Sequence, residues 1–207
     1  MTASDRTKQL LANGLKELMA ATPMSRIRVK ELCERCGVDR RTFYYHFRDV
    51  YDLAAWIFDQ TVDMYIPFLD EADTIRGVEI GLRKLREDEV FYRRALSEDS
   101  QNALGRHMLN HMVERYMAAL RQVKGREELT EEEAFSIGYH CFGCLGMVRR
   151  WLFQDKGLSP AELADLFQTS MPPVLRGMYG FDKEKGPHPS SSLRETPDAA
   201  FSRGEGK

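Results

Sequence analysis

The sequence predicts an all-α protein, a short N-terminal three-helix unit followed by a larger helical domain. Three observations carry that expectation. The chain of 207 residues holds 21 leucines and 10 methionines against 16 valines and isoleucines, a balance that favours helix over sheet. No segment sustains the period-two alternation of a half-buried strand. Nearly every break in the apolar pattern resembles a helix end.

Taken in order, helix one is expected near Ser4, with Asp5 in its first turn. It buries Leu11, Leu15 and Leu18 and stops in the break 21–24, where Pro23 cannot continue it. A second, about Val29 to Cys36, ends at Gly37, which supplies a left-handed cap residue. Asp39 caps a third, Arg40 to Phe47, and Asp49 a longer fourth running through Trp56 and Val62 towards Pro67. Helical segments follow at about 75–87, 89–97 and 100–123. Thr130 and Glu133 form a capping box for a helix from Glu131 to Asp155. Ser159, Pro160 and Glu162 open the last, 160–179, which Pro172 and Pro173 are expected to bend. Gly, Pro, Ser and single charges dominate 182–207, read as a disordered tail with no core to join. The expected domains are therefore 1–49, 50–181 and the tail.

Charge divides along the same lines. Ten basic and six acidic residues in 1–50 give +4, the tail 181–207 is neutral, and 51–180 carries −6 of the total −2. A basic head on an acidic body points the head at something anionic such as nucleic acid. The longest apolar run, 137–148, is interrupted by His140 and three glycines, so no membrane span is expected. Asp5, Arg6 and Lys8 leave no stretch for a signal peptide, and four cysteines make no disulfide framework; both fit the cytoplasm.

Function is concentrated in the stretch from Ile27 to Leu53. Leu32, Cys33, Cys36, Val38, Phe43 and Phe47 have the spacing that packs one short helix across another around a glycine turn, a helix-turn-helix. Arg40, Arg41, Thr42 and Tyr44 then stand at the exposed start of the third helix, the end that enters a major groove of double-stranded DNA. Arginine can read guanine bidentately, and threonine can meet a thymine methyl or a phosphate. Tyr45, His46 and Arg48, with Arg28 and Lys30 at the start of helix two, are placed as phosphate contacts. Aromatic packing is the competing role for the two tyrosines, and a neutral core histidine that for His46.

The Gly-Val turn, the polar cap and the string Thr-Phe-Tyr-Tyr-His-Phe at 42–47, followed by a new helix carrying Leu53, resemble the DNA-binding domain of TetR-family transcriptional regulators. Two departures stand out. Arg28 replaces the Ser or Thr that usually caps helix two in that family, and Val50 replaces a lysine near the phosphates. The stretch 139–167, with Trp151-Leu152 and then Gly157-Leu158-Ser159-Pro160, is similar to a subgroup of the same family, the activators of dihydroxyacetone-kinase operons. That likeness implies a body that answers to a protein partner rather than a small ligand.

The helix 131–155 is apolar almost all round: Ile137, Cys141, Cys144, Val148 and Leu152 on one side, Phe135, Phe142, Gly146 and Phe153 on another. Gly138, Gly143 and Gly146 suit the close approach of a second helix. With the stripe Leu163, Phe167, Met171, Val174 and Met178 it is expected to form a four-helix homodimer interface, as the family likeness also implies. A ligand pocket is expected from His140, Cys144, Met147 and Trp151, with Phe91, Trp56 and Tyr65 as further lining, though dimer or core packing competes for the same residues.

Other constellations are discounted. The pairs Cys33/Cys36 and Cys141/Cys144 lie on helices facing a core and read as structural. His107 and His111, one turn apart with Glu114 nearby, have the spacing of a metal clip. The stripe Leu109, Met112, Tyr116 and Leu120 should leave His107 and Glu114 in water, so no metal is expected, nor any cofactor. No catalytic dyad or phosphate loop is present, and an enzyme is not expected. The function expected is a homodimeric regulator on a palindromic operator. The alternatives are an adaptor of the same fold acting through a protein partner, and a metal-responsive sensor.

Overall fold

The computed structural model describes residues 2–65, 71–97, 103–154 and 157–179, apart from the side chains of 63–65, 71–75, 103 and 179. Among these residues the secondary structure is helical throughout. The first helix, α1 (Ala3–Ala21), starts ahead of Ser4 because Thr2 and Asp5 form a capping box: the Asp5 amide donates to Thr2 Oγ1 at 3.1 Å and the Thr2 amide to Asp5 Oδ2 at 2.8 Å. One 3₁₀ turn, Met24–Arg26, bridges to α2 (Val29–Cys36), which ends on Gly37 at φ +64°, a conformation that penalises any Cβ. Asp39 Oδ1 accepts from the Thr42 amide at 2.8 Å and starts α3 (Arg40–His46). Asp49 Oδ1 accepts from the Tyr51 and Asp52 amides, both at 2.9 Å, and starts α4 (Val50–Tyr65).

The body follows as α5 (Glu71–Glu87), α6 (Glu89–Ser97), α7 (Ala103–Lys124), α8 (Glu131–Phe153) and α9 (Pro160–Thr169). Both expected capping boxes are present, at Thr130/Glu133 and Ser159/Glu162. The last helix differs from expectation. It is broken rather than bent: α9 stops at Thr169, and α10 (Pro173–Arg176) with a 3₁₀ turn, Gly177–Tyr179, follows as a separate piece. Pro172 and Pro173 in succession remove two amide donors, so no single hydrogen-bonded helix can cross them. The tail 182–207 lies outside the described residues.

One apolar core runs from head to body. Leu11, Leu15, Leu32 and Phe43 share it with Leu53 and Ile57 of α4, Phe91 and Tyr92 of α6, and Trp151 of α8. Burial of each such side chain contributes roughly 1.5–3 kcal/mol. An ion pair between Lys16 Nζ and Asp88 Oδ2, 2.5 Å, joins α1 to the entrance of α6. A smaller cluster under α7 and α8 takes in Leu120, Ile137, Cys141, Met171, Leu175 and Met178. Here a second expectation is corrected. The stripe Leu163, Phe167, Met171, Val174 and Met178 is turned into the chain's own cores and is not left for a symmetry mate.

Within the head, α1 and α2 meet at Gly14. A Cβ there would stand 2.3 Å from Cys36 Sγ and 3.2 Å from Leu32 Cδ1, and the thiol is itself held to the Leu10 carbonyl oxygen at 3.6 Å. Gly14→Ala should therefore destabilise the protein by about 1–3 kcal/mol, measured by urea unfolding. Adding Cys36→Ala should recover part of that loss; a double variant no more stable than Gly14→Ala would show that the thiol is not what the methyl meets.

Candidate functional site

The recognition end of α3 is built by burying one side of a two-turn helix. Phe43 is fully buried and Phe47 nearly so, their rings 5.9 Å apart, which fixes the helix against α1 and α4. The opposite side is left to solvent: Arg40 and Arg41 are exposed, as is Tyr44, and Tyr45 is 83% exposed. Tyr45 at that exposure is not a core aromatic. The Arg40 guanidinium lies 5.9 Å from the Tyr44 ring centre, and the Phe43 and Tyr44 rings meet edge to face at 5.5 Å, so the core aromatic steadies the surface one.

Thr42 is half-buried, and its hydroxyl donates to Asp39 Oδ2 at 3.0 Å, leaving its methyl group for outside contact. The two hydrogen bonds from Thr42, backbone first, hold the Asp39 carboxyl below its ordinary range. His46 is half-buried with its ring edge-on to Tyr45 at 4.9 Å; burial first, then the Lys8 charge, push its pKa down, so a neutral imidazole offers hydrogen bonds here rather than charge. Lys8 also lies 5.9 Å from the centre of the Trp56 ring. Sequence reasoning missed Lys8, since its relation to α3 is purely tertiary.

Around α3 stand the expected phosphate contacts. Arg28 is the N-cap residue of α2 and its side chain makes no capping hydrogen bond; it is exposed, as is Lys30, 3.7 Å from Glu34. Arg48, in the turn ahead of α4, is exposed and 3.4 Å from Asp52 of α4. Val50 is buried in the core and cannot replace the missing lysine.

The expected pocket residues do not come together. His140 and Cys144 line a cavity of about 120 Å³ with Val78, Leu82, Tyr116 and Met171. Trp151 is buried elsewhere: its Nε1 donates to the Leu158 carbonyl oxygen at 2.8 Å and the Arg86 guanidinium sits 3.9 Å from the ring centre. Phe91 packs edge to face on Tyr92 at 5.0 Å, and Trp56 on Phe47 at 5.8 Å. Met147 faces outward on α8, and the Tyr65 side chain lies outside the described residues. Helical periodicity placed His140, Cys144 and Trp151 on one line, but that line crosses from the cavity into the main core.

His107 also differs from expectation, and His111 beside it shares its setting. Both are half-buried, because α7 lays this face against α4, where Asp59 Oδ1 stands 2.7 Å from His107 Nε2 and 3.3 Å from His111 Nδ1. Only Glu114 of the three residues first considered stays exposed. Asp59 is 48 residues from His107, and no local spacing signals the pairing.

Comparison with known proteins bears on both halves. A family described as "Bacterial regulatory proteins, tetR family" matches residues 13–55, and one described as "Transcriptional regulator C-terminal region" matches 76–172. The chain is similar to the HTH-type dhaKLM operon transcriptional activator DhaS of Lactococcus lactis subsp. lactis (strain IL1403), 26% identical over 98 residues. That match takes in 45% of this chain and spans about half, 51%, of the relative's length. A solved structure of the dihydroxyacetone kinase operon activator DhaS shares the fold, with TM-score 0.58 and 19% identity over 84% of this chain and 97% of that one. A structure of the fatty acid degradation regulator FadR from Bacillus halodurans aligns at TM-score 0.49 and 14% identity over 89% and 99%.

Beside the cavity, burial pushes the His140 pKa down to about 4, while Tyr116 Oη lies 3.3 Å from its Nε2. The unfolded chain takes up this proton near pH 6.5 and the folded one only near 4, so stability present above about 6.5 is lost as pH falls towards 4. Between pH 7 and pH 5 the loss from this group reaches up to about 2 kcal/mol. In His140→Gln that part of the decline should vanish from unfolding curves taken at the two pH values; an undiminished decline would place the effect on other groups.

Proposed function

The chain belongs to the TetR family of bacterial transcriptional regulators, and from that premise we propose that it acts as a homodimer on a palindromic operator, controlled through its body. One observation carries the DNA-binding reading: Phe43 is locked in the core while Arg40, Arg41, Tyr44 and Tyr45 are exposed on the same two turns. Arg40 and Arg41 are assigned to base edges, and Arg28, Lys30, Tyr45, His46 and Arg48 to phosphates. Thr42 contributes its methyl group. The family is one of regulators, and no enzymatic activity is assigned. No described helix is long and apolar enough to cross a membrane. Action on DNA supports a cytoplasmic protein.

Dimerisation is supported by α8. Phe135, Tyr139 and Phe142 are 73%, 72% and 65% exposed on a helix whose other side is core, and Met147 continues the stripe. The Phe135 and Tyr139 rings stack at 6.3 Å. A Cβ at Gly138, Gly143 or Gly146 would meet no described atom within 4 Å, so no described residue calls for these glycines, whereas they suit the close approach of a crossing helix. A symmetry mate of α8 satisfies both, with Leu166 of α9 at its margin. The effector is a small molecule or a protein partner. The cavity beside His140, at about 120 Å³, is well below the roughly 300 Å³ of ordinary ligand pockets.

A second reading is an adaptor of the same fold with weak DNA affinity, favoured by the uncapped start of α2 at Arg28 and the burial of Val50. Selection of bound fragments from random DNA separates the two. Palindromic enrichment, with affinity falling steeply as salt rises, is expected; binding without either would sink the operator reading. Arg40→Ala or Arg41→Ala should remove preference at particular base pairs, roughly 5- to 150-fold for about 1–3 kcal/mol. Uniform weakening with a shallower salt slope would instead make them phosphate contacts. For the interface, Phe142→Glu should give monomers in sedimentation and lose tight binding to a two-half-site operator; an unchanged dimer would move the interface off α8.

A further inference from the structure

Recognition of DNA leaves Asp59, His107 and His111 unused. Their donor atoms all lie within 4.8 Å of one another, all three residues are half-buried, and Phe58 stands edge-on to both imidazoles at 6.3 and 5.9 Å, walling one side of the group. Two imidazoles one turn apart on α7 and a carboxylate from α4 are the three-ligand set of borderline divalent ions. Magnesium and calcium want more oxygen than a single carboxylate supplies.

The distances fit. Tetrahedral bonds of about 2.0–2.1 Å put neighbouring ligand atoms about 3.3 Å apart. Asp59 Oδ1 and His111 Nδ1 already stand at 3.3 Å. Asp59 Oδ1 and His107 Nε2, at 2.7 Å, need to open by about 0.6 Å, the change expected when an ion replaces a direct hydrogen bond. We propose that Asp59, His107 and His111 form a site for a divalent ion of the zinc class, with water as fourth ligand, that clamps α4 to α7.

Arg115 works against the ion. Its Nη1 lies 3.5 Å from His111 Nε2, and a ring that coordinates through Nδ1 carries its proton on Nε2, facing that guanidinium. The contact must give way when the ion binds, so Arg115→Gln, which can offer an amide oxygen there, should tighten binding. The clamp has a consequence for the head. α4 begins in the core shared with Phe43 and Phe47, so fixing its middle to α7 restrains the attachment of α3. That consequence rests on the DNA-binding reading.

The test uses the untagged full chain, stripped of metal and titrated with zinc against a chromophoric chelator, with cobalt as a spectroscopic substitute. One ion per chain is expected, with visible bands of tetrahedral cobalt and a raised Tm. His107→Gln, His111→Gln and Asp59→Asn, each checked for unchanged helical content, should each weaken binding at least about tenfold, since even outer-shell partners matter 10- to 100-fold. No stoichiometric ion, unchanged affinity in the three variants, or cobalt–thiolate charge-transfer bands marking a cysteine pair as the ligand would each overturn the site. Coupling to the head is read separately, as operator affinity with and without zinc; equal affinities would overturn the clamp's effect on DNA, whatever the ion count.

Discussion

Phe43, Phe47, Leu53 and Ile57 lie in one uninterrupted apolar core, and the positions of the remaining parts follow from it. A three-helix unit of this size leaves a large share of its apolar area wet unless something covers it. Here α1 and α4 carry the head's core directly into the body, where Phe91, Tyr92 and Trp151 complete it. The basic head is thus a separate module in charge but a continuous one in packing. The Lys16–Asp88 ion pair lies over the same junction and adds a further tie between α1 and α6.

This arrangement frees the surface of α3 for recognition. Because Phe43 and Phe47 supply the anchoring, Arg40, Arg41, Tyr44 and Tyr45 are not needed for stability and can be selected for what they touch outside. Thr42 is the exception, since its amide and hydroxyl both serve the Asp39 cap. On α8 the division is similar: Ile137, Cys141, Cys144 and Val148 hold the helix, while Phe135, Tyr139 and Phe142 face away from the chain's own core. Two surfaces that contribute little to folding one chain, a cationic one and an aromatic one, match the two things the proposed dimer would bind.

Legibility in the sequence follows the range of each interaction. Asp39 and Gly37 are readable because their partners lie within four residues, as are the boxes at Thr130 and Ser159. The recognition end of α3 is readable for the same reason: the spacing of Phe43 and Phe47 alone says which residues face away. The pocket was not, since periodicity groups His140, Cys144 and Trp151 without saying where neighbouring helices leave space. The stripe from Leu163 to Met178 was seen as apolar, but whether it meets its own chain or a copy depends on which surfaces α5 and α7 present.

By itself the sequence determined most of the helices and caps, the turn at Gly37 and the exposed basic end of α3, because these are set by side chains and amides a turn or less apart. Only the tertiary structure decided that head and body share a core, that Gly14 lies against Cys36, and that Asp59 meets His107 across 48 residues. The physical reason is that a helix has several faces and the sequence names their character but not their neighbours. Which face meets which is settled by the simultaneous packing of the ten described helices, and no local interaction carries that information.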